Sequence, residues 1–310
     1  MRARPDLFDD EFAAFFGVLA RPDQAHSVQE SYPGFRFFVD VDLRLSRAYG
    51  AAPITGQGYR PLWVILDPTM RVLDVIALRS DGRDIAQVLA RLDALPRPEL
   101  HAGFPVQAPV LVLPRVFEPD FCDALVRFYE TAGGQESGFM RAVAGKTVGV
   151  MDRTFKSRRD AIIEDPAMIR ATQQRIANRV VPEIAKVHQF HVTRMERYIV
   201  SCYRADESGH FAAHRDNTTP GTAHRRFAVS INLNDDFDGG EVSFPEYGPR
   251  GFKAPKGGAV VFSCSLLHAV SRVTRGARFA FLPFLYDDVA AEIRARNAAS
   301  VVDAPPPGPT

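Results

Sequence analysis

The chain has 310 residues, 46% hydrophobic and 24% charged, with a formal net charge of +1. That length suits one large domain or two ordinary ones, and the composition is that of a soluble globular protein, not of a disordered, collagenous or coiled-coil chain. No apolar run nears the ~18 residues a membrane span requires, and the balanced charge offers no field to draw the chain onto nucleic acid or anionic lipid. The N-terminus, Met1-Arg-Ala-Arg-Pro-Asp-Leu-Phe-Asp-Asp10, lacks the apolar stretch of a signal peptide. Three cysteines, Cys122, Cys202 and Cys264, are too few and too scattered for a disulfide framework, a CxxC redox pair or a zinc knuckle. The expectation is a cytoplasmic, reduced protein with buried thiols.

Residues 1–100 alternate strand-like and helix-like segments. Phe35–Val39 and Leu62–Leu66 are short, bulky and flanked by Pro, Gly and Asp, and Val72–Leu78 is a third strand after the turn Asp67-Pro-Thr-Met70. Ile85, Val88, Leu89, Leu92 and Leu95 then recur at helical spacing, with Asp84 as the expected N-cap and Pro96 as the stop. The half reads as helices packed on a small sheet.

Two stretches here resemble the C-terminal half of a thioredoxin-like, peroxiredoxin-related domain. Phe38-Val-Asp-Val-Asp-Leu-Arg-Leu-Ser-Arg-Ala-Tyr-Gly50 is similar to that family's D-x-D-x-x-x-x-x-A-Y-G segment, and Pro61-Leu-Trp-Val-Ile-Leu-Asp-Pro68 to its strand ending in Asp-Pro. The first strand and helix of that fold are missing from the reading, so the start is expected to be truncated. No cysteine precedes Cys122. A peroxidase or disulfide reductase needs a thiolate, so the half is expected to be non-catalytic.

A polar linker, Arg97-Pro-Glu-Leu-His-Ala-Gly-Phe-Pro105, separates this half from the next. Val110–Leu113 reads as a strand and Asp120–Tyr129 as a helix with Phe121, Leu125 and Phe128 on one face. A single helix is expected near Pro166–Lys186, with Ile169, Ile176, Val180 and Ile184 forming its buried stripe. From Tyr198 to Tyr286 short strands dominate: Tyr198–Tyr203, Phe227–Leu233, Glu241–Phe244, Ala259–Phe262 and Arg278–Leu285. Asp238-Gly-Gly-Glu241 and Pro255-Lys-Gly-Gly258 supply turns, which together predict an antiparallel sandwich or barrel. The Pro-rich end, Asp303–Thr310, is expected to be disordered.

His214-Arg-Asp216 puts an imidazole and a carboxylate two residues apart, on one face if the segment is extended. Alone this means little, because with eight histidines roughly half of such chains would hold an HxD by chance. Its company gives it weight. His268 follows the apolar strand Ala259–Phe262, and Arg278 opens another, ten residues further on. Two histidines and one carboxylate from neighbouring strands make the facial triad that holds non-haem Fe(II) and leaves coordination positions open.

The run Tyr203…His214-x-Asp216…Asn232-Leu-Asn234…Gly239-Gly-Glu241…Pro255-x-Gly-Gly258…His268-x-Val270…Gly276-x-Arg278 resembles the Fe(II)- and 2-oxoglutarate-dependent dioxygenases, in particular their prolyl-4-hydroxylase-like branch. The resemblance implies that His214, Asp216 and His268 bind iron. It implies that Arg278 pairs with the distal carboxylate of 2-oxoglutarate, a role suited to a guanidinium because it stays charged when buried and forms two parallel hydrogen bonds. Tyr203 sits where relatives use a tyrosine hydroxyl for the co-substrate. Asn232 stands where the branch commonly has Tyr, and Ser230 shares its strand face. Iron(II) and 2-oxoglutarate are the implied cofactor and co-substrate, with ascorbate as a candidate accessory.

Other candidates carry less. His188-Gln-Phe-His191 has neither the spacing nor the glutamate of a zincin. His224, beside Arg225 and Arg226, is expected to be exposed, with lining of the active-site mouth as the alternative. Arg275 is expected to be solvated and Cys264 to be core. Lys156-Ser-Arg-Arg159 reads as a solvated face or a substrate-facing loop, which together with Asn217–Arg226 would close over an extended chain.

The expected fold is α+β: a double-stranded β-helix (jelly-roll) oxygenase barrel over residues 106–290, preceded by a small α/β thioredoxin-like domain over 1–98. A tail over 291–310 is helical and then disordered. The expected activity is hydroxylation of an unactivated carbon on a peptide or protein side chain, proline foremost, with release of succinate and CO2. A free amino acid or small metabolite is the alternative substrate. A non-catalytic barrel serving as an interaction module and a zinc or manganese hydrolase are the readings from other classes. No nucleic-acid or membrane partner is expected.

Overall fold

A computed structural model describes residues 1–31, 33–143 and 145–302. The chain divides into two compact units, one comprising Met1–Gln107 with Glu246–Pro249, the other Ala108–Pro245 and the chain from Arg250 onward. The expected disordered tail, Asp303–Thr310, lies outside the described residues.

In the first unit the expected strands form at Phe35–Val39, Leu62–Leu66 and Val72–Ala77, the last two as an antiparallel pair. A further strand, Phe15–Leu19, runs parallel to Phe35–Val39. This strand, built on the apolar run Phe15-Phe-Gly-Val-Leu19, was not among the expected elements. The helix spans Arg83–Asp93 and buries Val88 and Leu92 against a cluster including Leu7, Phe8, Phe35 and Ile65. Asp84 is not its N-cap. That position falls to Gly82 in a left-handed conformation, and the Asp84 carboxylate instead accepts the Trp63 indole N–H at 2.7 Å.

The second unit is a jelly roll of two main sheets with helices outside, together with a three-stranded sheet (Phe139–Val143, Lys146–Val150, Val301–Val302) and a two-stranded one (Asp238–Gly239, Val273–Arg275). The larger sheet runs in the order Arg194–Glu196, Phe284–Tyr286, Phe227–Asn232, Ala277–Phe281, Ile199–Arg204, Arg159–Ile162, Gln135–Glu136. Ala259–Ser263 pairs with Phe227–Asn232 and carries Leu111–Leu113 on its other side. The smaller sheet runs Gly251–Phe252, Val242–Ser243, His268–Val270, His210–His214, Lys156–Ser157.

Strand parity divides the larger sheet's side chains between two environments. Val200, Cys202, Val229, Ile231, Ala259, Val261 and Phe281 join a core with Leu125, Ile176, Val180 and Ile184 from the helices. Residues of opposite parity, including Tyr203, Ser230 and Arg278, line a cavity whose other wall comes from the smaller sheet through Phe211, His214, Val242 and His268. Both faces of Phe227–Asn232 are therefore covered, and all six of its residues are buried. Ile231 is fully buried in the helix-side core. Truncating it to alanine is expected to cost about 2–5 kcal/mol, read as a lower denaturant midpoint at unchanged slope.

The single helix expected over Pro166–Lys186 is two, Pro166–Arg179 and Val181–His188. Pro182 has no N–H to continue the first helix, and its ring would clash with a carbonyl of the preceding turn. The chain breaks at Val180 (φ −109°), whose side chain stays in the core. Asp165 caps the first of the pair, accepting from the Ala167 and Met168 N–H groups. All three cysteines are buried with free thiols, as their spacing suggests, and burial pushes the Cys122 and Cys202 thiols up to about 11.

Candidate metal centre and anion pocket

The His210–His214 strand pairs with His268–Val270 so that Phe211 stands opposite Val270 and His214 opposite His268. Three steps on one strand match two on the other, which is a β-bulge. Without it, strand parity would turn His214 away from Phe211; with it, both side chains face one cavity. Their rings stack with centroids 3.5 Å apart, fixing the imidazole plane. Asp216 lies beyond the strand end, tied by its own N–H to the Cys264 carbonyl at 3.0 Å. Convergence of this pair thus comes from a bulge followed by a turn, rather than from two like-facing positions of an extended strand.

The Asp216 carboxylate lies 3.5 Å from His214 Nε2 and 3.3 Å from His268 Nε2. One ligand atom from each of the three residues falls within 4.8 Å of the other two. Each imidazole is oriented from behind: His214 Nδ1 is 2.8 Å from the Ala212 carbonyl and His268 Nδ1 is 3.0 Å from that of Leu266. A carbonyl can only accept, so both Nδ1 atoms carry a proton, and Nε2, turned toward Asp216, is the nitrogen each ring would offer to a metal. Burial favours the protonated Asp216 carboxyl, but positive charge on His268 and hydrogen bonds from both histidines outweigh it and hold the carboxyl well below the usual range. Burial also pushes the His214 pKa down, Asp216 only partly opposing it. For His268 the same carboxylate wins against burial and the shift is upward. A buried anion between two imidazoles, all three donors turned inward, fits a divalent cation of the kind held by two histidines and a carboxylate.

Arg278 is fully buried and heads the large buried side chains among the described residues. Its Nε donates to Asn232 Oδ1 at 2.9 Å and its Nη2 to Ser230 Oγ at 2.6 Å, while Nη1 has no partner. Among the described residues no carboxylate pairs with it. Burial pushes its pKa down, and the neighbouring Arg158 adds to that. Gly240, in a left-handed turn (φ +66°), leaves room for it: a Cβ there would stand 2.9 Å from Arg278 Cδ. A buried guanidinium with two neutral acceptors and one free N–H group is built to receive an anion.

Asn232 is committed at both ends, since its Nδ2 also donates to the Ala254 carbonyl at 2.7 Å. Ser230, one alternation along the strand, lines the cavity, as Asn232 does not. Tyr203 pairs with Arg278 across neighbouring strands, and its buried hydroxyl accepts from Arg158 Nη1 at 3.3 Å.

Two expectations are overturned. Lys156-Ser-Arg-Arg159 is neither a solvated face nor a loop: Lys156 and Arg158 are each only 4% exposed, and Lys156–Ser157 and Arg159–Ile162 are strands. Lys156 donates to Ser137 Oγ and the Gly138 carbonyl, and Arg158 pairs with Asp160 at 2.7 Å. Ser137 and Gly138 come from a segment distant in sequence, which is why Lys156 reads as solvated; Asp160 is near Arg158 in sequence, but Ser137 and Tyr203, which also meet Arg158, are not. His224 is buried, not exposed, 3.0 Å from the Glu196 carboxylate. Burial works against that anion, but His224 and Arg225 outweigh it and hold Glu196 down to about 2. Arg275, as expected, is exposed, paired with Asp238. Arg197, which the sequence reading passed over, also lines the cavity. The signal it carried was its position directly before the barrel's first long strand.

Residues 198–286 match the 2OG-Fe(II) oxygenase superfamily, and this segment is a 2OG-Fe(II) oxygenase domain; the family's metal and co-substrate are Fe(II) and 2-oxoglutarate. The relatives of the segment include a PKHD-type hydroxylase of Cupriavidus metallidurans, 41% identical over 80 residues, which are 23% of this chain and 35% of that protein. Another, from Paracoccus denitrificans, is 43% identical over 86 residues, 25% of this chain and 38% of that protein. The chain thus spans little more than a third of the length of these curated relatives. Among solved structures, a Trichoplax adhaerens prolyl hydroxylase in complex with a hypoxia inducible factor peptide superposes with TM-score 0.49 at 14% identity, covering 68% of this chain and 95% of that one. A Pseudomonas putida prolyl-4-hydroxylase gives 0.42 at 16% identity, covering 57% and 91%. No helix among the described residues is long and apolar enough to cross a membrane.

Proposed function

We propose that this chain is an Fe(II)- and 2-oxoglutarate-dependent dioxygenase that hydroxylates an unactivated carbon on a peptide or protein side chain, with proline the leading candidate. The observation that carries the reading is one cavity holding both the inward-facing His214, Asp216 and His268 and the unpaired N–H group of Arg278. The PKHD-type relatives are named as hydroxylases, which supports the reaction class. The prolyl-4-hydroxylase-like spacing from Tyr203 to Arg278 supports the substrate kind.

In this reading His214, Asp216 and His268 hold the metal, the two Nδ1–carbonyl bonds keeping each Nε2 available. Arg278 receives the distal carboxylate of 2-oxoglutarate through Nη1 and Nη2, and Asn232 and Ser230 set the plane of its guanidinium. Tyr203 accepts from Arg158 and so keeps its own hydroxyl proton to donate to the co-substrate. Phe211, Phe262 and Val270 line the remaining wall and exclude water. When bound, iron and 2-oxoglutarate supply the oxidising chemistry, consuming O2 and the keto acid and yielding succinate, CO2 and one oxygen atom for the substrate C–H bond. The first unit is proposed as a non-catalytic thioredoxin-like domain, since no cysteine precedes Cys122.

Purified chain supplied with Fe(II), 2-oxoglutarate and air is expected to form succinate, and none without oxygen. Absence of succinate with iron bound would favour an interaction module or a hydrolase instead.

A further inference from the structure

Three guanidinium groups line the cavity that holds the candidate metal centre, those of Arg158, Arg197 and Arg278. Their charges are balanced unequally. Asp160 lies 2.7 Å from Arg158 and also accepts the Ser201 hydroxyl at 2.6 Å, so its carboxylate is already engaged. The divalent metal, Asp216, Arg278 and a dianionic co-substrate sum to zero. Lys156 is engaged by Ser137 and Gly138, and burial drives it toward its neutral form. Arg197 is left over.

Its surroundings bear this out. Arg197 makes no hydrogen bond among the described residues, and its nearest carboxylate oxygen, on Asp160, is 3.6 Å away, outside hydrogen-bond range. It stands in the left-handed region (φ +65°), an uncommon conformation for a bulky side chain and one that clusters at ligand sites. The side chain retains 28% exposure, lines the cavity, and has its guanidinium 5.2 Å from the centre of the Phe284 ring. Burial, and after it the charge of Arg158, lower its pKa to about 10, with Asp160 and Asp216 only partly opposing them.

We propose that Arg197 binds a carboxylate of the substrate to be hydroxylated, so that the substrate class is an amino-acid unit carrying a free carboxylate. The proposal rests on the oxygenase reading and narrows it. One planar guanidinium matches one carboxylate bidentately, and one surplus positive charge suits a monoanion better than a phosphate dianion. Three sources share this chemistry: a free amino acid, the C-terminal residue of a peptide, and an Asp or Glu side chain.

The test is a binding experiment on the full chain, loaded with Mn(II) in place of Fe(II) and with 2-oxoglutarate, without oxygen. Calorimetric titrations compare free L-amino acids with their amides, proline-containing peptides ending in acid with the same peptides ending in amide, and peptides with internal Asp or Glu with their Asn or Gln counterparts. For one source the acid is expected to bind at least ten times more tightly than its neutral partner. R197Q and R197M should erase that preference and R197K restore part of it. Equal binding of acid and neutral partner by the wild type, binding by none of the acids, or a preference that survives R197Q would overturn the proposal. So would R197Q weakening 2-oxoglutarate while leaving the preference intact, since Arg197 would then serve the co-substrate. The oxygenase reading stands or falls separately, on succinate formation by the wild type in air.

Discussion

Asp216→Ala is expected to abolish Fe(II) binding and succinate formation while leaving the chain folded. Asp216 supplies the only negative charge of the triad, and it is the group toward which both Nε2 atoms are turned. Without it two neutral imidazoles remain, a weak site for Fe(II). The loss should exceed the roughly 10–100-fold that removing a mere outer-shell partner costs. The fold should persist, because Asp216 lies past the end of its strand and its main-chain bond to Cys264 survives the substitution. Anaerobic metal titration gives the stoichiometry, and circular dichroism reports the fold. Stoichiometric iron and full turnover in the variant would dismiss the triad.

Arg278→Ala should raise the 2-oxoglutarate requirement steeply. Breaking a buried, hydrogen-bonded charge pair costs about 3–5 kcal/mol, on the order of a hundredfold to several thousandfold in affinity. Arg278→Lys should fall between, since an ammonium keeps the charge but cannot hold Asn232 and Ser230 in the plane that Nε and Nη2 now fix. Because the alanine variant also strands those two acceptors, the lysine variant guards against reading a folding defect as a binding defect. The expected signature is a raised KM for 2-oxoglutarate with metal affinity retained. Unchanged affinity for the keto acid in both variants would place the co-substrate elsewhere.

The site was legible in the sequence to different depths. His268 could be read because it follows the apolar strand Ala259–Phe262, and Arg278 because it stands at the start of another, where strand parity carries it to the face opposite Phe279 and Phe281. His214 and Asp216 could be read as a pair, but the reason they converge could not. A bulge depends on how His210–His214 registers against His268–Val270, which is a relation between strands and not a property of either. Asn232 was expected at the co-substrate; its contacts go to Arg278 and Ala254, and the cavity wall at that strand is Ser230.

By itself, then, the sequence determined what local spacing can carry: the jelly-roll strands, the helix faces that bury Leu125, Ile176 and Ile184, the His-x-Asp pair with its distant histidine, and an arginine of inward parity. Tertiary structure alone decided which charges lie inside. Lys156, Arg158 and His224 look solvated in sequence because cations usually are. They are buried because Ser137 and Glu196 arrive from other segments to meet Lys156 and His224, and because Arg158, paired locally with Asp160, is met by Ser137 and Tyr203 from distant strands. The same folding leaves Arg197 beside an acid that Arg158 already engages. Burial of a charge is settled by the partner it finds, and pairing across the sheets chooses that partner.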